Sequence, residues 1–259
     1  MKIILFFYHG GMDKLVSVII PTYNRFHYLQ NAINSVLNQT YKNFEIIVIN
    51  DGSDQKEYYE NKLPDNINLI TFKENHRKKI GFVSDGYIRN FGIKEANGEY
   101  LAFLDDDDMW LPDKLEVQLK AMLESDIEFS STEGYWGKGA YDPNKKYQLY
   151  NQEKHFKIIK NIYKNSKFSN RTLKTFYRNN FSIPKIWDHE FLKIHNCCIA
   201  SSVMVNKDLL ETFGNFRAVP SIYAPDYDCW LGLIKITDLI YVDQPLFYFD
   251  DDHGDGRNW

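Results

Sequence analysis

The chain alternates between short, nearly unbroken apolar runs and longer stretches where apolar residues return every three or four positions. Val16-Ser17-Val18-Ile19-Ile20 is β-branched and ended by Pro21, and Glu45 to Asn50 (EIIVIN) is a second run, ended by Asp51-Gly52-Ser53. Both read as strands buried on two faces. Ile67 to Phe72 and Tyr100 to Leu104 read as a third and a fourth. Between the first two strands, Leu29, Ala32, Ile33, Val36 and Leu37 lie at helical spacing, with Asn24 available as the N-cap. A further helix is predicted from Ser84 to Ala96, stopped by Asn97-Gly98. Strand–helix alternation with continuous apolar strands predicts a parallel sheet covered on both faces. Ligands of such sheets bind at the carboxyl ends of the strands. The chemistry is therefore expected after Ile20, Asn50 and Leu104.

The second half is less regular. Pro112 opens a predicted helix running to Glu124, and Ile127 to Ser131 reads as a strand. Another strand is expected over Cys197 to Val205, so Cys197 and Cys198 read as strand residues. Asn206 then caps a short helix ended by Gly214, and a last helix is predicted over Asp226 to Ile236. No internal repeat is present. Residues 138–180 differ in composition: eleven Lys/Arg face only Asp142 and Glu153, a local charge of +9 in a chain of net −4. Eight aromatics are interleaved with these cations. The segment reads as a helical insertion, either simply solvated or contacting phosphates, membrane headgroups or an anionic acceptor.

Composition narrows the class. With 259 residues, 44% hydrophobic and 25% charged, the chain can bury a substantial core and is not intrinsically disordered. The net charge of −4 argues against a basic nucleic-acid binder. No apolar run approaches the roughly 18–20 residues of a membrane span. Ile3 to Tyr8 is too short for a secretory h-region, and no small-residue cleavage site follows it. Residues 1–13 are expected to be an extension before a single domain over 14–259. Cys197, Cys198 and Cys229 offer neither a disulfide framework nor zinc spacing, which points to a reducing, cytoplasmic setting. Neither a GxGxxG fingerprint nor a GxxxxGK[ST] loop occurs, which argues against a dehydrogenase or a P-loop enzyme.

Three strand ends carry candidate chemistry. Asp105-Asp106-Asp107-Asp108 follows the fourth strand directly. Two carboxylates about 5 Å apart repel by roughly 3 kcal/mol at an effective dielectric near 20. Four of them at a buried strand end need solvent, protonation or a cation, and Mg²⁺ commonly takes one or two carboxylates with phosphate oxygens and water. Pro21-Thr22-Tyr23-Asn24-Arg25 offers a flat ring for a base to stack on and a hydroxyl. Asp51 can accept the N3–H of a uracil or the N1 and N2 hydrogens of a guanine. Locally, each motif also reads as an ordinary turn or cap. Their convergence is what a nucleoside diphosphate and a metal would require.

The pattern Val-Ser-Val-Ile-Ile-Pro-Thr-Tyr-Asn (16–24), Ile-Asn-Asp-Gly-Ser (49–53), Ile-Arg-Asn-Phe-Gly-Ile (88–93) and Gly-Glu-Tyr-Leu-Ala-Phe-Leu-Asp-Asp-Asp-Asp-Met-Trp-Leu-Pro-Asp-Lys-Leu (98–115) resembles family 2 glycosyltransferases of the GT-A fold. The likeness is strong over 14–125 and looser over 195–236. It implies an α/β, Rossmann-like, mostly parallel sheet flanked by helices. A nucleotide-sugar half (14–125) would precede an acceptor half (126–259) that carries the basic insertion. It implies that Pro21, Thr22, Tyr23, Asp51, Arg89 and Asp106 bind the nucleotide sugar. The metal, Mn²⁺ or Mg²⁺, would fall to Asp105 and Asp107 in a DxD pattern, with His253 as a third ligand. Asp226 would match the general base, although Pro225 stands where the family signature has Glu. The implied reaction is inverting transfer from a nucleoside-diphosphate sugar, UDP-sugar favoured, to a hydroxyl of a glycan, lipid or protein. The implied setting is cytoplasmic, with peripheral membrane contact through 138–180. Rival readings are a sugar-nucleotide or nucleotidyl transferase, and an inactive relative that binds nucleotide or glycan.

Overall fold

The computed structural model describes residues 13–165, 182–218 and 224–252. In chain order the first elements are β1 (Val16–Thr22), α1 (Phe26–Leu37), β2 (Phe44–Asn50), α2 (Glu57–Glu60), β3 (Ile67–Thr71), α3 (His76–Ile80), α4 (Asp85–Glu95) and β4 (Tyr100–Phe103). There follow β5 (Met109–Trp110), α5 (Lys114–Ser125), β6 (Phe129–Gly137), β7 (Gln148–Leu149), α6 (Phe156–Asn165), β8 (Ile186–Trp187), β9 (Val203–Asn206) and β10 (Leu239–Asp250). Short helices at Lys207–Phe213 and Pro225–Leu233 lie between the last two strands.

The described strands form one sheet in the order β3-β2-β1-β4-β9-β6-β10-β5, with β7 on β6 and β8 on β10. Strands β3, β2, β1 and β4 are parallel, as the apolar runs predict. Strand β9 is antiparallel to both β4 and β6, and β10 is parallel to β6. The carboxyl ends of β1, β2, β4, β6 and β10 therefore share one edge. Alternation along each strand splits the core in two. Ile19, Ile47, Ile49, Leu101 and Phe103 meet Ile88 and Ile93 of α4 and Trp230, while Val18, Ile20, Val48 and Ala102 meet Leu29 and Val36 of α1 and Leu115 of α5. Both faces are dry, which is why these strands show no polar alternation.

Several sequence expectations are corrected. Asn24 does not cap α1: it sits at φ 52°, and its side-chain oxygen accepts the N–H groups of Asp54 and Gln55. The strand expected over Cys197 to Val205 is reduced to Val203–Asn206. Cys197 and Cys198 are buried in the loop before it, where no strand among the described residues pairs with them. The helix predicted over Asp226 to Ile236 starts at Pro225, with Ala224 in the cap position, and ends at Leu233. The described part of 138–180 is no free appendage. Tyr150, Asn151, His155 and Ile159 are buried, and the fully buried Glu133 carboxylate accepts the N–H groups of Asn151 and Gln152 and the Tyr241 hydroxyl. Residues 166–180 and His253 lie outside the described residues.

Helix α4 lies close on the sheet at Gly92, where a Cβ would stand 2.7 Å from Ile19 Cγ2 and 2.9 Å from Ile49 Cδ1. Gly92→Val is expected to lower unfolding stability by about 1–3 kcal/mol through overpacking. The denaturant midpoint measures it, with the m-value unchanged.

Candidate active site

At the end of β1, Pro21 and Thr22 are buried and Tyr23 is half-buried. The Thr22 hydroxyl is 2.5 Å from the Tyr58 hydroxyl, which in turn accepts the Arg25 backbone N–H at 3.1 Å. Thr22 thus serves the inside of the site, while Tyr23 keeps an accessible ring. Burial, with Asp54 and Asp51 nearby, pushes the Tyr23 phenol up. The two strand ends are laced together, since Ser53 Oγ accepts the Asn24 N–H at 2.9 Å.

Asp51, at the end of β2, is fully buried. Its Oδ1 accepts the His76 backbone N–H at 2.8 Å. Its Oδ2 lies 2.6 Å from both Asn75 Nδ2 and His76 Nδ1. His76 Nε2 accepts the Ser84 N–H at 2.9 Å, so its ring proton resides on Nδ1. Gly52 makes the contact close: at φ 70° its Cβ position would be 2.4 Å from the Glu74 carbonyl carbon.

The acid run after β4 turns four carboxylates in three directions. Asp105 pairs with Arg89, which is nearly buried. Arg25 Nη1 bridges Asp106 Oδ1 at 3.2 Å and Asp107 Oδ2 at 2.5 Å. Asp108 Oδ1 accepts the Asp250 N–H at 3.3 Å, from the end of β10. Burial pushes the Asp106 carboxyl up to about 8, Asp107 adds to the rise and Arg25 opposes it. Asp108 is raised well above the carboxylate range, first by burial and then by Asp107 and Asp105. Asp106 Oδ2 and Asp108 Oδ2 are buried without a hydrogen-bond partner. Unsatisfied buried acceptors beside further carboxylates fit a hard cation. Among the described residues no three acidic, imidazole or thiol groups form a closed cage. Phosphate oxygens and water would have to complete its shell.

Asp226, in the first turn of the Pro225–Leu233 helix, is partly exposed, and its Oδ1 accepts the Tyr227 N–H at 2.7 Å. Desolvation pushes its carboxyl up to about 6, with Asp105 adding to the rise and Arg89 opposing it. Arg89 therefore stands in the field of Asp105, Asp85 and Asp226 together. This brings a carboxylate from the far half of the chain to the carboxyl edge that holds the acid run.

Tyr23, Asp51, Arg89, Asp105, Asp106, Asp107 and Asp226 thus gather along one edge. Sequence reasoning missed Arg25, Tyr58, Asn75, His76 and Asp250. Arg25 was visible as the last residue of the β1 motif, and a basic residue next to a site with four acids was the available signal. The others come from segments whose placement only the fold decides. Arg25→Ala leaves Asp106 and Asp107 buried without their cation and is expected to cost about 3–5 kcal/mol of stability. Denaturation across pH checks this. Because burial already holds the Asp106 carboxyl at about 8, the deficit is largest above that pH and shrinks toward neutral and acid pH, where protonation removes the unpaired charge.

A model described as glycosyl transferase family 2 matches residues 17–187. A Rickettsia bellii protein named only as an uncharacterized glycosyltransferase is 46% identical over 127 residues, covering 46% of this chain. The match spans 17% of that relative's length. An Escherichia coli protein, the UDP-Glc:alpha-D-GlcNAc-diphosphoundecaprenol beta-1,3-glucosyltransferase WfgD, is 31% identical over 230 residues, covering 86% of this chain and 71% of that one. Residues 1–349 of S. aureus TarS, solved in complex with UDP-GlcNAc, superpose with a TM-score of 0.60 at 19% identity, covering 93% of this chain and 59% of that one. The chain has the GT-A architecture and belongs to glycosyltransferase family 2.

Proposed function

We propose that the chain transfers a sugar, with inversion, from a UDP-sugar to a hydroxyl of a glycan, lipid or protein. The observation that carries this reading is the partly exposed Asp226, set near Arg89 and Asp105 at the strand ends. A proton acceptor and a diphosphate-binding cluster thereby share one edge.

In this reading Tyr23 stacks on the base and Asp51 accepts its N–H, while Asp106 serves the ribose or sugar. Arg89 lies where the donor diphosphate would meet it. Asp105 and Asp107 would hold Mn²⁺ or Mg²⁺, and the His253 assignment rests on the resemblance alone. The cation supplies Lewis-acid stabilisation of the departing diphosphate. Asp226 accepts the proton of the acceptor hydroxyl as its oxygen bonds to the anomeric carbon. The bond from that carbon to the diphosphate breaks, and the electron pair leaves with the phosphate oxygen. Proton, sugar and leaving group are all accounted for.

WfgD is named for a diphosphoundecaprenol-linked acceptor. No helix among the described residues is long and apolar enough to cross a membrane. A lipid-linked acceptor would be met peripherally. Lys145, Lys146 and Lys157 are exposed, and Ile158 next to Lys157 in the chain is 37% exposed, which supports contact of the 138–180 region with an anionic surface.

A panel of UDP-, GDP-, TDP- and CMP-sugars, with and without Mn²⁺, tests the donor through thermal stabilisation and slow hydrolysis. One UDP-sugar should stabilise and hydrolyse in a metal-dependent manner, and a null panel favours the inactive-relative reading. Asp226→Asn should keep donor binding and lose about 10²–10⁴-fold in transfer. Unchanged transfer would remove Asp226 as the base, and release of pyrophosphate in place of sugar transfer would favour nucleotidyl chemistry. The wild-type kcat/KM should fall below about pH 6, because Asp226 must be ionised to accept a proton and its carboxyl sits near 6.

A further inference from the structure

Asp51 can read a base only if the base can touch it. Its side chain has 0% exposure, as has that of His76. Three donors already lie on its two oxygens: the His76 backbone N–H, the His76 ring Nδ1–H and the Asn75 amide. The ring contact is a planar heterocycle presenting an N–H to a carboxylate. That is the same chemistry by which a uracil would bind.

The covering segment is lightly held. Between Lys73 and Val83 only Asn75 and His76 are buried, and Arg77, Lys78, Lys79, Gly81 and Val83 are exposed. Little apolar area fixes α3 to the body, so its local opening free energy is low compared with that of the sheet. Its polar anchors include the Asp51 contacts themselves, the Asn75 side chain that accepts the Arg77 N–H, and the Ser84 N–H on His76 Nε2. Gly81 ends α3 at φ 84° with open space where a Cβ would stand, so a change of direction there meets no neighbour. Ser84 caps α4, and α4 itself is fixed by Ile88, Ile93 and Gly92 against the sheet. Parting from Asp51 gives up the Ser84 N–H contact and the stack of the His76 ring on Tyr87, 6.2 Å between centroids, while the Ser84 hydroxyl cap and the sheet contacts of α4 remain.

We infer that His76 is the internal occupant of the base-reading position, and that a uridine nucleotide binds by taking its place on Asp51 while residues 74–83 lift. The inference rests on the proposed role of Asp51 and names the residue that governs access to it. A base must offer a ring N–H to replace the His76 Nδ1–H. Lifting removes three donors from Asp51, of which a uracil N3–H returns one and a base without a ring N–H returns none. His76 thereby sets a threshold that nucleotides without a ring N–H fail to cross, so it determines selectivity as well as access. The cost of opening appears as a reduced apparent affinity, in proportion to the fraction of open molecules.

Hydrogen exchange of the wild-type chain with and without UDP tests this, because lifting and fixed-wall binding predict opposite signs. Lifting releases the His76 and Ser84 amides, so exchange over 74–84 should speed up when UDP binds, while the strand-end amides of β1 and β2 slow down. His76→Ala, which keeps the backbone N–H and removes the ring, should bind UDP roughly threefold or more tightly and discriminate less against CDP. UDP binding with slower or unchanged exchange over 74–84 would overturn the inference, and so would weaker UDP binding by a folded His76→Ala. Either result leaves the donor reading intact with His76 as a fixed orienting wall. Failure of the wild type to bind UDP at all would defeat the donor reading, and the inference with it.

Discussion

Carboxyl groups buried at strand ends are the constraint around which this molecule is arranged. Asp51, Asp106 and Asp108 each occupy a position with almost no solvent, directly after an apolar strand. Each must therefore find donors or cations from elsewhere in the chain. Asp51 takes them from Asn75 and His76, Asp106 from Arg25, and Asp108 from the backbone at Asp250. The connections that satisfy these groups tie the β3–α4 segment, the β1–α1 turn and the end of β10 to a single edge. The site is thus a consequence of charge compensation as much as of the sheet that supports it.

The same constraint distinguishes carboxylates whose hydrogen bonding is complete from those left open. Glu133 is fully enclosed and accepts three backbone N–H groups and a tyrosine hydroxyl, so it has no capacity left for a ligand and serves to dock the start of the basic segment. Asp106 and Asp108 keep buried oxygens without partners, which is an unfavourable state unless something positive arrives. Asp226 stays partly exposed with one backbone donor and a raised pKa, as suits a group that exchanges protons. What differs among these carboxyl groups is how far the surrounding chain has completed their hydrogen bonding.

The two arginines give the acid run its shape. Arg89 comes from α4, which the Gly92 contact presses onto β1 and β2, so its guanidinium is set by helix packing. Arg25 comes from the β1 turn, and its backbone is held by the Tyr58 hydroxyl that also engages Thr22. One arginine thus transmits the position of a helix, and the other that of a loop, to adjacent aspartates. A donor diphosphate entering between them would meet cations already oriented by burial.

The sequence by itself determined the parallel core and the motifs at its edge. Uninterrupted β-branched runs can be satisfied only by a sheet covered on both faces, and Asp-Gly or Pro-Thr turns at their ends leave little choice of location. The helix starts at Ser84 and Asn206 and the stop at Gly214 were legible too, because capping is local chemistry. Tertiary structure decided what local pattern could not. Asn24 looked like a cap until the β2 turn came within reach of its side chain, and Cys197 and Cys198 looked like a strand until β9 proved to begin at Val203. Whether Asp51 is open or covered depends on the His76 ring 25 residues away. Spacing along the chain fixes which backbone conformations are favourable, whereas the state of a buried charge depends on every segment that packs around it.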